Sequence, residues 1–360
     1  MKRQLLGVAA FMLALSAHAQ DNPLWMRYCA ISPDGTSIAF TYKGDIYTVP
    51  VNGGKAAQIT TNAAHDTHPV WSPDGKQIAF ASDRMGSMDI FVVDREGGIP
   101  KRLTTHSGNE TPVAFKDADH ILFLANVMPS AEDAQFPSGQ FQQVYEVSTT
   151  GDRPVMFSSM PMEDISINKT GNALLYHDKK GYEDPWRKHH TSSITRDIWL
   201  CSLDGKRSYR KLTSFNGEDR TPVWASDGKS FYYLSEEKGS FNVFKRALDG
   251  TSSTQLTHHT KHPVRFLTAA DNGTLCYGYD GEIYTMKEGT EPRKVQISIL
   301  TDKNDKDLIR QIRRNGATEI ALSPDAKEVA FILRGDVYVT SVEYLSLIHI
   351  SEPTRPLYIS

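Results

Sequence analysis

Residues 68–104, HPVWSPDGKQIAFASDRMGSMDIFVVDREGGIPKRLT, decide the fold: they read as one four-stranded antiparallel sheet, and much of the remaining chain is a set of copies of it. Val70-Trp71 is a short apolar strand. Ser72-Pro73-Asp74-Gly75 supplies a tight turn, in which proline presets φ, aspartate can bond its own backbone two residues on, and glycine accepts positive φ. Ile78 to Ala81 is a second strand, too apolar to be exposed on both faces. A polar turn over Asp83 to Ser87 leads to the third strand, Asp89 to Val93, which alternates in period 2. Arg95-Glu96-Gly97-Gly98 turns the chain again, and a weaker fourth strand ends at Leu103-Thr104.

The copies are clearest at the third strand, where an acid or amide, a β-branched residue and an aromatic come in sequence. They are Asp45-Ile46-Tyr47, Asp89-Ile90-Phe91, Gln143-Val144-Tyr145, Asp197-Ile198-Trp199, Asn242-Val243-Phe244, Glu282-Ile283-Tyr284 and Asp336-Val337-Tyr338, at steps of 44, 54, 54, 45, 40 and 54 residues. Four strands per roughly 40 to 45 residues is the period of a β-propeller blade. Ser32-Pro33-Asp34-Gly35, Ser323-Pro324-Asp325 and the variant Ala225-Ser226-Asp227-Gly228 repeat the first turn; Leu212-Thr213 and Leu256-Thr257 repeat the closing pair. A β-sandwich with turns at similar intervals is the competing architecture, but seven in-register copies are hard to obtain by chance.

The chain is thus read as all-β, a six-bladed β-propeller over residues 23–298. Residues 299–316 form a charged linker, and 317–344 begin a second propeller. A single seven-bladed ring, its last blade completed by an N-terminal strand, is the alternative. Before the ring, Lys2 and Arg3, the apolar run Leu5 to Leu15 and the small-x-small site Ala17-His18-Ala19 predict a signal peptide over residues 1–19, hence a periplasmic or secreted protein. Nothing later in the sequence is apolar for long enough to span a bilayer. The last stretch, residues 345–360, offers no closing strand and resembles a translated sequencing adapter, so it is read as a non-native tail on a truncated product.

A formal net charge of -3 and the lack of a basic stripe argue against nucleic acid. Three dispersed cysteines, Cys29, Cys201 and Cys276, indicate neither a disulfide framework nor a zinc site and are expected to be buried thiols. There is no Gly-x-Ser-x-Gly elbow, dinucleotide fingerprint, Walker loop or His-Glu-x-x-His, so no catalytic residue, cofactor or metal is assigned.

Two blades carry about ten extra residues between second and third strands, in Val127 to Phe141 and Lys179 to Arg196. In an up-down-up-down blade that connection emerges on the same face as the links between blades. That face therefore collects His65, Asp66 and His68, then Arg220, then His258, His259 and His262. Both histidine groups lack a recognised metal-ligand spacing and read as solvated links. Within the second insert, Tyr182, Trp186, Arg187, His189 and His190 are candidate peptide or partner contacts, together with His65, His68, Arg220 and His262. The recurring aspartate of the third strand is expected to cap the preceding turn, and Trp71 and Trp224 to be core.

VWSPDGKQIAFASDRMGSMDIFVVDREGG, EDPWRKHHTSSITRDIWLCSLDGK, GEDRTPVWASDGKSFYYLSEEKGSFNVFK and IALSPDAKEVAFILRGDVYVTSVE together resemble the N-terminal propeller region of a tricorn-like protease in its exported bacterial form. TolB-like periplasmic binding proteins and the propellers of prolyl-oligopeptidase-type hydrolases share the SPDG repeats and are the alternatives. The tricorn resemblance implies a non-catalytic propeller that gates or binds peptides or unfolded protein segments. It also implies a downstream propeller, a PDZ-like module and a serine-peptidase domain as partners in a parent chain, along with further copies of the chain itself.

Overall fold

The computed structural model describes residues 23–126, 141–181, 193–300 and 315–342, with the backbone of 347–349. The described residues contain strands and turns and no helix, so none that could cross a membrane. Six four-stranded antiparallel sheets follow one another in strict chain order. Their first strands are Arg27–Ile31, Asp66–Trp71, Glu110–Phe115, Met162–Ile167, Asp219–Trp224 and Arg265–Ala269, defining blades I to VI. Each first strand lies against that of the next blade, and the sixth lies against the first. The innermost strands therefore form a closed ring of six about an axis.

The third-strand pattern explains how these sheets stack. The β-branched residue and the aromatic point to opposite faces. The aromatic sits in register opposite another on the second strand: Phe40 with Tyr47, Phe80 with Phe91, Phe123 with Tyr145, Tyr176 with Trp199, Tyr233 with Phe244 and Tyr277 with Tyr284. Such pairs contribute about 0.5–1.5 kcal/mol beyond their buried area. The aromatic pair of one blade faces the aliphatic side of the blade before it, as Phe80 and Phe91 meet Ile46 and Ala39. The seam between the last and first blades follows the same rule, with Ile283 and Cys276 against Phe40 and Tyr47. Because blade VI meets blade I in this way, the seven-bladed alternative does not hold.

Backbone hydrogen bonds repeat around the ring too. In five blades the first residue of the inner strand, or the one just before it, donates its N–H to the turn between second and third strands of the preceding blade: Asp66 to Gly44, Glu110 to Met88, Asp219 to Arg196, Val264 to Phe241 and Met26 to Gly281, at 2.7–3.1 Å. These bonds place the inter-blade links and the second-to-third connections on one face. At the other end of the strands, indole N–H groups bolt blades together, Trp71 to the Ala30 carbonyl and Trp224 to that of Ser166, both at 2.9 Å. Trp71 is core, while Trp224 is half-buried.

The closing Leu-Thr pair also acquires a role. Thr60, Thr104, Thr213 and Thr257 each accept the backbone N–H of the β-branched third-strand residue at 2.8–2.9 Å. The neighbouring acid or amide reaches that same closing strand: Asp89 pairs with Arg102 at 2.8 Å, and Asn242 accepts from Thr257 at 2.9 Å while its amide group also caps the preceding turn, donating to the Ser240 carbonyl at 3.1 Å.

Strands Ala317–Leu322, Glu328–Leu333, Asp336–Ser341 and Leu347–His349 form one further sheet. The closing strand, not expected from the sequence, exists because the Tyr338–Thr340 edge offers unpaired backbone groups that any extended segment can satisfy. Phe331 and Tyr338 stack as in the ring but stay half-buried, and Ile320 and Leu322 are exposed.

Candidate functional site

Every inner strand is broken by a register shift near its start, between Arg27 and Ala30, Thr67 and Val70, Pro112 and Ala114, Glu163 and Ser166, Arg220 and Val223, and Arg265 and Thr268. A bulge bends its strand and re-aims a side chain. In five blades the residue at the bulge is left-handed without being glycine: Tyr28, His68, Asp164, Thr221 and Phe266, with φ of 49–57°. Blade III has Pro112 at the equivalent place, and its ring forbids positive φ. Each left-handed residue costs about 1–3 kcal/mol, the β-branched Thr221 being the least suited, and such strain concentrates where a structure is held for use.

These six positions, one per blade, make a collar just inside the face that carries the links. The Tyr28 ring lies 3.7 Å from that of His68 and 4.8 Å from that of Phe266, centroid to centroid. Burial pushes the Tyr28 phenol up and the His68 imidazole down to about 4, so both are neutral at pH 7. The Asp164 charge acts on both, although it comes from blade IV, opposite blade I in the ring. The collar is therefore narrow. It has an aromatic arc from blades VI, I and II, continued by Pro112, and a polar arc from blades IV and V, where the Thr221 hydroxyl donates to Asp164 at 2.6 Å.

Behind the polar arc lies a charged network. The Thr221 N–H donates to His177 Nδ1 at 3.3 Å, which leaves the Nε2 proton facing Glu163 at 3.2 Å. Glu163 also accepts from Lys179 at 2.7 Å and Arg196 at 3.3 Å. Burial alone would raise the Glu163 carboxyl, yet the hydrogen bond from His177 and the charges of Arg196 and Lys179 hold it well below the usual carboxylate range. The buried Glu218 then bridges Arg196 and Arg220, and its own N–H is taken by Glu236 at 2.9 Å. The network meets the collar at His177, whose Nδ1 accepts the Thr221 N–H and lies 3.5 Å from the Asp164 carboxylate.

Of the residues singled out in the sequence, His68 lies in the collar and Arg220 in the network behind it. His65 and His262 instead latch links to the second-to-third turns of their own blades, through the His65 N–H to Asp83 at 2.7 Å and the His262 ring beside Asp280 at 3.4 Å. Tyr182, Trp186, Arg187, His189 and His190 lie outside the described residues. Tyr28, Asp164, Phe266, Glu163, His177 and Glu218 were not anticipated; for the first four the one signal was position, two or three residues into an inner strand, while His177 lies on a second strand and Glu218 in a link. Asp45, Glu110 and Asp219 are pushed up to about 7, chiefly by burial. Each shares a threonine hydroxyl at a blade edge, Thr60, Thr104 or Thr213, so these shifts belong to seams rather than to a reactive centre. Among the described residues no group of three or more His, Cys, Asp or Glu is arranged to hold a metal.

A ring of six four-stranded blades, each built from one contiguous segment around a lined axis, defines a β-propeller. Residues 23–292 match the tricorn protease N-terminal beta propeller domain, and the chain belongs to that family. Tricorn protease homolog 1 of Streptomyces coelicolor is 25% identical over 279 residues, which is 77% of this chain and 25% of that protein. A crystal structure of the tricorn protease superposes with a TM-score of 0.66 at 21% identity, over 92% of this chain and 32% of that one. TolB from Acinetobacter baumannii shares the fold at a TM-score of 0.54 and 16% identity, over 74% of this chain and 62% of that one. The chain thus spans about a quarter to a third of the length of the tricorn relatives it matches.

Proposed function

We propose that this propeller is the peptide-admitting module of an exported tricorn-like serine peptidase, and that the collar is where an extended segment passes or is held. The observation that carries the reading is the ring of strained, non-glycine residues at one level of the axis. An extended chain suits it: side chains lie against Tyr28, His68 and Phe266, while backbone N–H groups or an N-terminal ammonium meet Asp164 and Thr221. In this reading the sheet at 317–349 opens a second propeller, since it repeats the blade pattern yet keeps exposed the surface that ring blades bury. The bond-breaking residues belong to other segments of a longer parent protein, and residues 1–19 direct export.

Titrating the full chain into a fluorescein-labelled, reduced and carboxymethylated casein peptide, followed by anisotropy, tests the reading. Saturable binding that weakens at least about tenfold in Phe266→Ala is expected, the loss of one buried aromatic contact. No binding, or binding indifferent to Phe266 and to Tyr28→Ala, overturns it. Export is tested separately: N-terminal sequencing of protein from the periplasmic fraction should begin at Gln20, and an uncleaved cytoplasmic product contradicts it.

A further inference from the structure

The ring closes without exchanging a strand between its ends, because blades I and VI are each built from a contiguous segment. In such a ring no full blade strand crosses the seam between first and last blades, so it is held by contacts and by the short segment that follows blade VI. Some are backbone: Met26 N–H to the Gly281 carbonyl at 3.1 Å, Asp271 N–H to that of Pro33 at 2.9 Å, and a two-residue parallel pairing of Gly54–Lys55 with Ile297–Ser298. All of these are small and near the edges of the seam.

Two of the three cysteines meet at its centre. Cys29 is on the inner strand of blade I, and its thiol donates to the Phe266 carbonyl of blade VI at 3.5 Å. Two residues on, the Ile31 N–H donates to the Thr268 hydroxyl at 3.1 Å. Thr268 stands opposite Cys276 in the antiparallel register of blade VI. The Cys276 thiol thus has the Cys29 thiol and the Thr268 hydroxyl as its polar neighbours. Both cysteines lie in one core cluster, 2% and 0% exposed, whereas Cys201 is in blade IV, in a different cluster.

We propose that Cys29 and Cys276 are a disulfide site, a covalent clasp between the first and last blades that forms in an oxidising environment. The balance is that of thiol–disulfide exchange with a small-molecule disulfide such as oxidised glutathione. One cysteine thiolate attacks the glutathione disulfide and expels one glutathione. The second thiolate then attacks the mixed disulfide and expels another, so two protons and two electrons leave the protein. Burial raises the Cys276 thiol well above its ordinary value, which makes exchange in the closed ring slow. The bond therefore forms while the seam is open, before the ring closes or during a transient opening. Nearly the whole ring lies between the two positions, and a link closing a long loop removes the most freedom from the unfolded chain.

The full chain, unfolded and refolded in an oxidising glutathione buffer, is then denatured and alkylated without reductant. One alkyl label per chain is expected, on Cys201, with a Cys29–Cys276 crosslinked peptide in a non-reducing digest. Reducing the protein should lower its thermal midpoint by about 5 °C. Three labels per chain, or a bond that involves Cys201 or a second chain, overturns the proposal. The mapping needs no substitution, so a variant that fails to fold cannot obscure it.

Discussion

Replacing His68 by glutamine should change how stability depends on pH, and the size of the change follows from the collar. In the folded protein burial holds the imidazole at about 4; in the unfolded chain it titrates at its ordinary value of about 6.5. As pH falls below 6.5 the unfolded chain gains a proton that the folded protein refuses, so stability is lost between pH 6.5 and 4. Each unit is worth about 1.4 kcal/mol, hence about 3 kcal/mol in full and about 2 kcal/mol by pH 5. Asp164 opposes the depression and His65 reinforces it, and both are already contained in the value of about 4. Urea unfolding of the wild type and of His68→Gln at pH 7.5 and pH 5 reads the effect as a difference of differences. The lost Tyr28 stacking and the left-handed backbone cost of glutamine are independent of pH and cancel, as do Glu110 and Asp219, which titrate in both proteins. The wild type should lose about 2 kcal/mol more than the variant on acidification. An equal loss in both, within about 0.5 kcal/mol, would refute a desolvated histidine in the collar.

Other substitutions probe the seams and the network. Glu218→Gln removes the carboxylate shared by Arg196 and Arg220, and should destabilise the protein by about 3 kcal/mol in chemical denaturation because two buried guanidinium groups lose the charge that bridges them, Arg196 keeping only Glu163. Thr104→Val deprives the Ile90 N–H of its acceptor and should cost about 1–3 kcal/mol, while Thr104→Ser should cost less; thermal unfolding distinguishes them. Trp71→Phe loses the indole bond to the Ala30 carbonyl between blades I and II, and should cost at least about 1 kcal/mol in the same assay.

The blade architecture was legible because its cause is local and repeated. An Asp-Ile-Tyr strand places an aliphatic residue on one face and an aromatic on the other, and a ring of such sheets buries both. The SPDG turns were equally direct: in Ser72 to Gly75 the serine hydroxyl donates to Asp74, and Gly75 takes φ of +68°. Function left a fainter trace. Tyr28, His68, Asp164, Thr221 and Phe266 have no chemistry in common, and only His68 and Asp164 are residue types enriched at positive φ. His68 and Arg220 attracted notice through their charge, which burial then suppressed in one case and neutralised in the other. Glu163, His177, Arg196 and Glu218 come from two strands and a connection of blade IV and from the link after it, so no short motif could join them. The meeting of Cys29 with Cys276 likewise needed the ring to close.

Photocrosslinking from position 266 tests both the ring and its use. With p-benzoylphenylalanine in place of Phe266, illumination of the full chain should attach blade VI to Tyr28 or His68, and the casein peptide should displace that product in favour of a crosslink to itself. Crosslinks confined to blade VI, with or without peptide, would contradict a collar at the axis of six blades.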